Sequence, residues 1–508
     1  MLEARTVLDP TFDVGEIDKR LSGSFVEHLG RCVYGGIYEP THPLADADGF
    51  RRDVLELVQE LRVPIVRYPG GNFVSSYDWE DGVGPASSRP ARLETNWHSI
   101  EPNRFGLGEF VKWCAAAGTE AMLAVNLGTR GVAEACALLE YANFPGGTKW
   151  SDLRIAHGAP QPFDVRVWCL GNEMDGPWQI GHKTAVEYGR LASETAKAMR
   201  RVDPDLELIA CGSSNASMPT YPDWEATVLD HCYDDVDFLS LHSYYTPNPH
   251  DVGSFLASAL DMDAFVDSVI ATCDYVRARK RSKKALNLAF DEWNVWYPTR
   301  RWTEQPDTWR LAPALFEDTY DIADAVVVGS LLNSLLRHAS RVKIACFAQL
   351  VNVIAPIRTH DQGAAWRETT FYPLRDVARF ASGRSLLVGL DSPSYETDRF
   401  GLVPVLDISA ALDDATGSLA LFVANRSLVD DVRLAVDLRA LPGYSVLEHT
   451  TLSGESSYTP GQAVNTEQEP ERIRPRPVPV TARIDSEAAV VLPPLSWNVV
   501  RLAREPAA

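Results

Sequence analysis

Between about residue 30 and residue 355 the chain repeats one unit: a short run rich in β-branched and aromatic residues, a loop, then a stretch with apolar residues at helical spacing. The strand candidates are CVYGGIY (Cys32–Tyr38), PIVRYPG (Pro64–Gly70), AMLAVNLG (Ala121–Gly128), VRVWCLGNE (Val165–Glu173), LELIACG (Leu206–Gly212), DFLSLHSYY (Asp237–Tyr245), ALNLAFDEW (Ala285–Trp293) and VKIACFAQL (Val342–Leu350). Helical patterns such as Arg51–Arg62 and Thr184–Arg201 lie between them; in the second, Ala185, Tyr188, Ala192, Thr195 and Met199 share one face. Near-continuous apolar strands alternating with helices imply a parallel sheet covered on its outer face. Eight such units are the number that closes a (β/α)8 barrel. An open doubly wound sheet is the alternative, disfavoured because no strand runs into a GxGxxG or P-loop sequence.

From about residue 370 the texture changes to short alternating runs such as SLLVGLD, VPVLDISAALD, GSLALFVANRS and VRLAVDL, the pattern of a β-sandwich. The expected fold is therefore α/β: a catalytic TIM barrel over residues 23–368 and a C-terminal all-β, jelly-roll-like sandwich over 369–508, with residues 1–22 available as a further sandwich strand. The polar, Pro-rich segment QAVNTEQEPERIRPRPVPV is read as a long sandwich loop.

Charge narrows the function. With 48 basic against 69 acidic side chains the net charge is −21, which repels phosphate backbones and anionic lipid, so neither nucleic acid nor a membrane is an expected partner. No apolar run is long enough to span a bilayer. The 8 cysteines are scattered without CxxC or metal-ligand spacing, and the first 23 residues lack a basic start followed by an apolar core. A reducing, cytoplasmic location is expected, with no cofactor and no metal.

In a barrel of this kind the chemistry sits at the C-terminal ends of the strands. Those ends carry Arg67 and Asn72, Asn126, Asn172 and Glu173, His242 and Tyr244, Glu292, and Gln349 and Asn352, with Glu27 and His28 placed ahead of the first strand. Glu173 and Glu292, on strands four and seven, face each other across the barrel. Glycosidic bond cleavage needs such a pair, one carboxyl to protonate the departing oxygen and one to attack the anomeric carbon.

WCLGNEMDGPW (Trp168–Trp178) and FDEWNVWY (Phe290–Tyr297) resemble the two active-site motifs of glycoside hydrolase family 51, the α-L-arabinofuranosidases. FVEHLGRCVYGGIYEP (Phe25–Pro40), VRYPGGNFVSSYDWEDGVGP (Val66–Pro85) and LHSYY (Leu241–Tyr245) are similar to that family too, in order along the chain. The resemblance implies a retaining, exo-acting enzyme that releases arabinofuranosyl residues from oligosaccharides. It implies Glu173 as general acid/base, Glu292 as nucleophile, and Asn172 on the sugar 2-hydroxyl. Arg67 and Tyr244 would hydrogen-bond the nucleophile, His242 would support it, and Glu27, Asn72 and Gln349 would hold the sugar hydroxyls. It also implies a homo-oligomer, commonly a hexamer.

Each residue has a plainer reading. Glu173 and Glu292 could cap the following helices, Arg67 could pair with a core carboxylate, and Asn126 could be a turn residue. Trp97, Trp178, Trp293, Trp296 and Trp302 are readable as core aromatics or, at strand ends, as sugar-stacking planes, with Trp296 and Trp178 favoured for stacking. His98 and His182 fit no zinc spacing, and Asp175 has no assigned role. The competing functions are broader specificity toward β-D-xylosides or β-D-galactofuranosides, a non-hydrolytic carbohydrate-binding barrel, and a barrel lyase or isomerase.

Overall fold

The computed structural model describes residues 1–298, 308–454, 458–479 and 487–504; Trp302 and the rest of residues 299–307 lie outside them. Eight parallel strands close into a barrel in sequence order: Gly23–Phe25, Ile65–Tyr68, Glu120–Val125, Val167–Leu170, Glu207–Ala210, Phe238–Tyr245, Asn287–Val295 and Val342–Ala348. Phe25, Ile65, Met122, Val167, Ile209, Phe238, Ala289 and Ile344 fill its interior. The barrel is thus a packed core with an open upper rim.

Seven strands fall on the expected runs, and the first does not. Cys32–Tyr38 is a series of turns, closed by Ile37 N–H to the Cys32 carbonyl at 3.2 Å and Tyr38 N–H to Val33 at 2.9 Å, with Gly35 at φ +80°. The run is apolar because Cys32, Val33 and Ile37 are buried, and buried apolar turns carry no signal that separates them from a strand. The true first strand, Gly23–Phe25, spans three residues, too few for a period to register. Glu27 and His28 therefore follow the first strand and stand on the upper rim.

Helices Arg52–Leu61 and Ala185–Val202 lie where their periodicity placed them. The second begins with a capping box: Glu187 accepts from the Thr184 N–H at 2.9 Å, and Thr184 Oγ1 accepts from the Glu187 N–H at 3.4 Å.

The remaining long strands form one nine-stranded sheet, which includes the N-terminal strand Leu2–Glu16. That strand pairs antiparallel with Arg384–Asp391 and parallel with Val432–Asp437, so the chain starts in the all-β unit before entering the barrel. Leu386, Leu406, Leu421, Val432, Leu434 and Val490 belong to its separate apolar core. Part of the Pro-rich segment folds back on the barrel, where Asn465 donates to the Arg367 carbonyl at 3.1 Å and Ile473 is buried.

Helix Ile322–Arg337 joins the two units. Every residue from Ile322 to Leu336 is buried, the polar Asp324, Ser330, Asn333 and Ser334 included. At its end Arg337 bridges Asp263 of the barrel and Asp407 of the sheet, both at 2.9 Å. Midway, Gly329 lies under the ring of Trp497, and a Cβ added there would collide with Trp497 Cε3 and sit 2.6 Å from Cζ3. A Gly→Ala change inside a helix normally gains about 1 kcal/mol. Here the clash reverses the sign: Gly329→Ala should destabilise by about 1–3 kcal/mol and lower the melting temperature. An unchanged or higher melting temperature would show that the Trp497 ring moves aside without cost.

Candidate active site

The seventh barrel strand builds the site by breaking its own pleat. Alternate residues of a regular strand face opposite sides, yet Asp291 and Glu292 both point into the barrel. A register shift between Ala289 and Glu292 against strand six, and between Phe290 and Trp293 against strand eight, marks the bulge that permits it. Arg67, at the end of strand two, lies beneath both. Its Nη1 donates to Glu292 Oε2 at 2.8 Å, its Nε faces Asp291 Oδ2 at 3.1 Å, and its Nη2 donates to Asn172 Oδ1 at 2.6 Å. The guanidinium stacks over Phe25, 4.8 Å from the ring centre. Tyr244 completes the surroundings of Glu292 by donating to Oε1 at 2.7 Å.

Glu173 follows the fourth strand at φ +43°, in the left-handed region that costs a non-glycine residue on the order of 1–3 kcal/mol. Trp178 Nε1 donates to its Oε2 at 2.6 Å, and His242 Nδ1 lies 3.0 Å from its Oε1. One oxygen of Glu173, one of Glu292 and a ring nitrogen of His242 lie within 4.8 Å of one another. Among the described residues this is the one cluster of His, Cys, Asp or Glu close enough to share a cation. All three are already engaged with one another or with Arg67, Tyr244 and Trp178.

The environments of the two glutamates differ. Burial raises the Glu173 pKa, and the charge of Glu292 adds to the effect. Burial opposes a charge on His242, but Glu292, Asp291 and Glu173 outweigh it and push the imidazole up to about 10. Burial likewise disfavours the Asp291 carboxylate, yet Arg67, His242 and Ser240 hold it at about 2.

A second group forms the wall beside Glu292. Glu27 accepts from Phe73 N–H and Trp97 Nε1, both at 3.0 Å, and from Gln349 Nε2 at 3.1 Å. Burial, with Glu292 nearby, pushes its pKa up to about 8. The Pro69–Asn72 loop passes so close that a Cβ on Gly71 would lie 3.1 Å from Glu27 Oε2 and 3.4 Å from Glu292 Oε2. Asn72, half-buried, opens the turn that follows. Trp296 sets its ring edge-on to Tyr244 and Phe316, with centres 5.3 and 5.4 Å apart, while Trp178 is 47% exposed at the rim.

Other residues singled out from the sequence have local duties. His242 Nδ1 lies nearer Glu173 than Glu292, at 3.0 Å against 3.7 Å, so the hydrogen bond of that nitrogen goes to Glu173 and not to Glu292. Asn126 accepts from the Gly128 and Thr129 N–H groups and is a turn residue. Asn352 ties Arg31, Gly35 and Thr359 together, and Trp293 packs in the core against Phe347. His28 is held between Glu101 and Tyr68, each at 2.8 Å, and His98 stacks on Trp309. Asp175 accepts from the Ser214 hydroxyl and from its N–H at 3.1 Å, clamping the fourth strand's loop to the fifth's. The residue that sequence reading missed is Asp291; its signal was an acid in an apolar strand next to another acid, which regular alternation assigns to the outer face.

Comparison with known proteins agrees with this architecture. Residues 57–277 match the α-L-arabinofuranosidase 1 domain and residues 291–496 the α-L-arabinofuranosidase C-terminal domain. An intracellular exo-α-(1→5)-L-arabinofuranosidase of Streptomyces lividans is 56% identical over 506 residues, covering 99% of this chain and 76% of the relative. An exo-α-(1→6)-L-arabinofuranosidase of Bifidobacterium longum is 50% identical over 98% of this chain and 97% of its own. The solved structure of a family 51 α-L-arabinofuranosidase from Bifidobacterium longum superposes with a TM-score of 0.94 at 44% identity, covering 99% of both chains. With the likeness running through barrel and β-unit alike, the chain belongs to glycoside hydrolase family 51, the α-L-arabinofuranosidases.

Proposed function

We propose that the protein is an exo-acting, retaining α-L-arabinofuranosidase in which Glu173 is the acid/base and Glu292 the nucleophile. The observation that carries this is the pair of buried carboxylates on strands four and seven, with oxygens within 4.8 Å. Oxygens that close fit the narrow carboxylate pair of a retaining enzyme, with carboxyl groups about 5–5.5 Å apart, better than the wider pair of an inverting one.

In the first step Glu292 attacks the anomeric carbon while Glu173 gives its proton to the departing oxygen. Arg67 and Tyr244, both bonded to Glu292, hold it as an aimed carboxylate. In the second step Glu173 takes a proton from water, which displaces Glu292. Esterifying Glu292 removes the negative charge that raises the Glu173 pKa, so the same group that donated now accepts. Asn172, fixed by Arg67, is offered to the sugar 2-hydroxyl, and Glu27, Asn72 and Gln349 to the remaining hydroxyls. Trp178 and Trp296 supply aromatic faces at the rim.

Relatives of near-equal identity are named for (1→5) and for (1→6) linkages, so the proposal extends to terminal α-L-arabinofuranosyl groups and not to one linkage. The Streptomyces relative is named intracellular, and no helix among the described residues is long and apolar enough to cross a membrane. Cytoplasmic action on short oligosaccharides, by the homohexamer that the family resemblance implies, belongs to the same proposal.

Glu292→Ala should abolish turnover of an aryl α-L-arabinofuranoside, with azide restoring it and yielding the inverted β-azide. Glu173→Ala with azide should yield the α-azide. Near-normal activity of Glu292→Ala without azide would end the assignment. The raised Glu173 pKa also fixes the sign of a pH effect. The acid form is present below its folded pKa and lost as pH rises through it. On a phenyl arabinofuranoside kcat/KM should therefore hold past the ordinary glutamate pKa of about 4.3 and fall only on the alkaline side, a limb that Glu173→Gln removes. A decline centred in the ordinary range would contradict it.

A further inference from the structure

Asp291 takes no part in bond making or breaking in that cycle, yet its carboxylate is fully buried at the centre of the site. One oxygen, Oδ2, faces Arg67 Nε at 3.1 Å and Cys169 Sγ at 3.7 Å. The other, Oδ1, accepts from the Ser240 hydroxyl at 2.5 Å and lies 3.4 Å from His242 Nε2. The Ser240 oxygen is itself 3.1 Å from that nitrogen, so the hydroxyl relays between carboxylate and ring. The opposite nitrogen, Nδ1, is 3.0 Å from Glu173 Oε1.

We propose that Asp291 is a positioning residue for the proton donor: it anchors His242 through Ser240, and His242 in turn orients Glu173. The inference rests on the reading of Glu173 as acid/base.

Two observations carry it. The seventh strand leaves its regular pleat so that Asp291 as well as Glu292 turns inward. An acid needed only to neutralise Arg67 would be redundant, because Glu292 already pairs with that guanidinium. Second, His242 has a carboxylate at each nitrogen, an arrangement that uses two N–H donors and hence the imidazolium. The charged groups facing the ring are Glu173 from strand four and Asp291 and Glu292 from strand seven, with Asp175 nearby and Arg67 behind Asp291. The elevated His242 pKa agrees with that arrangement. With Asp291 neutralised, the ring loses its anchor and keeps one N–H, which no longer fixes the Glu173 carboxyl toward the leaving oxygen.

Leaving groups separate this role from a structural one. A dinitrophenyl group departs without a proton, whereas a phenyl group needs one. For Asp291→Asn, kcat/KM should fall on the order of 10²-fold on the phenyl α-L-arabinofuranoside but only about threefold on the dinitrophenyl one. Equal losses on both substrates, or none on either, would overturn the proposal, since damage to the fold or to the Arg67–Glu292 pair affects both alike. If Asp291→Asn does not fold, Ser240→Ala takes its place with the same two outcomes, its selective loss on the order of tenfold. Glu173→Ala in the same panel keeps the two ideas apart. A steep leaving-group dependence there beside a uniform loss in Asp291→Asn overturns this proposal alone, whereas no such dependence in Glu173→Ala overturns the acid/base assignment and this proposal with it.

Discussion

The buried guanidinium of Arg67 is the interaction around which the site is assembled. It touches strands four and seven at once, through Asn172, Asp291 and Glu292, and rests on the Phe25 ring from strand one. A buried cation without partners would be prohibitively costly. The same need for partners draws Glu292 and Asn172 to fixed places. The bulge in strand seven turns two consecutive acids inward, so that one strand faces both Arg67 and His242.

The charges then nearly cancel. Arg67 and a protonated His242 stand against ionised Asp291 and the carboxylate that the proposed cycle requires of Glu292, with Glu173 and Glu27 biased toward their neutral forms by burial. A neutral buried site tolerates low dielectric, whereas a charged one does not. In the proposed cycle, forming the glycosyl-enzyme removes one negative charge. The surplus positive charge favours ionisation of Glu173 when the incoming water needs a base. In that cycle two chemically identical side chains take different roles because their surroundings differ.

Much of this was legible in the sequence where physics leaves a period. Seven strands declared themselves as apolar runs before helical stretches, and their ends named Arg67, Asn172, Glu173, Tyr244, Glu292 and Gln349. The first strand did not, because three residues carry no period and the buried turns after it mimic a strand. Asp291 was hidden by a bulge that no local pattern announces. His242 was recognised as part of the site, but its nearer partner, Glu173, depends on ring placement set by Ser240 and Asp291 from two different strands. Asp175, to which the sequence assigned no role, clamps two rim loops together.

The central claim is that Glu292 attacks the sugar directly, as the close approach of the two carboxylates favours. The measurement that tests it most directly is a proton NMR time course of a synthetic α-L-arabinofuranoside with the enzyme, read before the free sugar mutarotates. The account predicts that α-L-arabinofuranose appears first and the β anomer later. If the β anomer appears first, water attacks the sugar directly, and the assignment of Glu292 as nucleophile is contradicted.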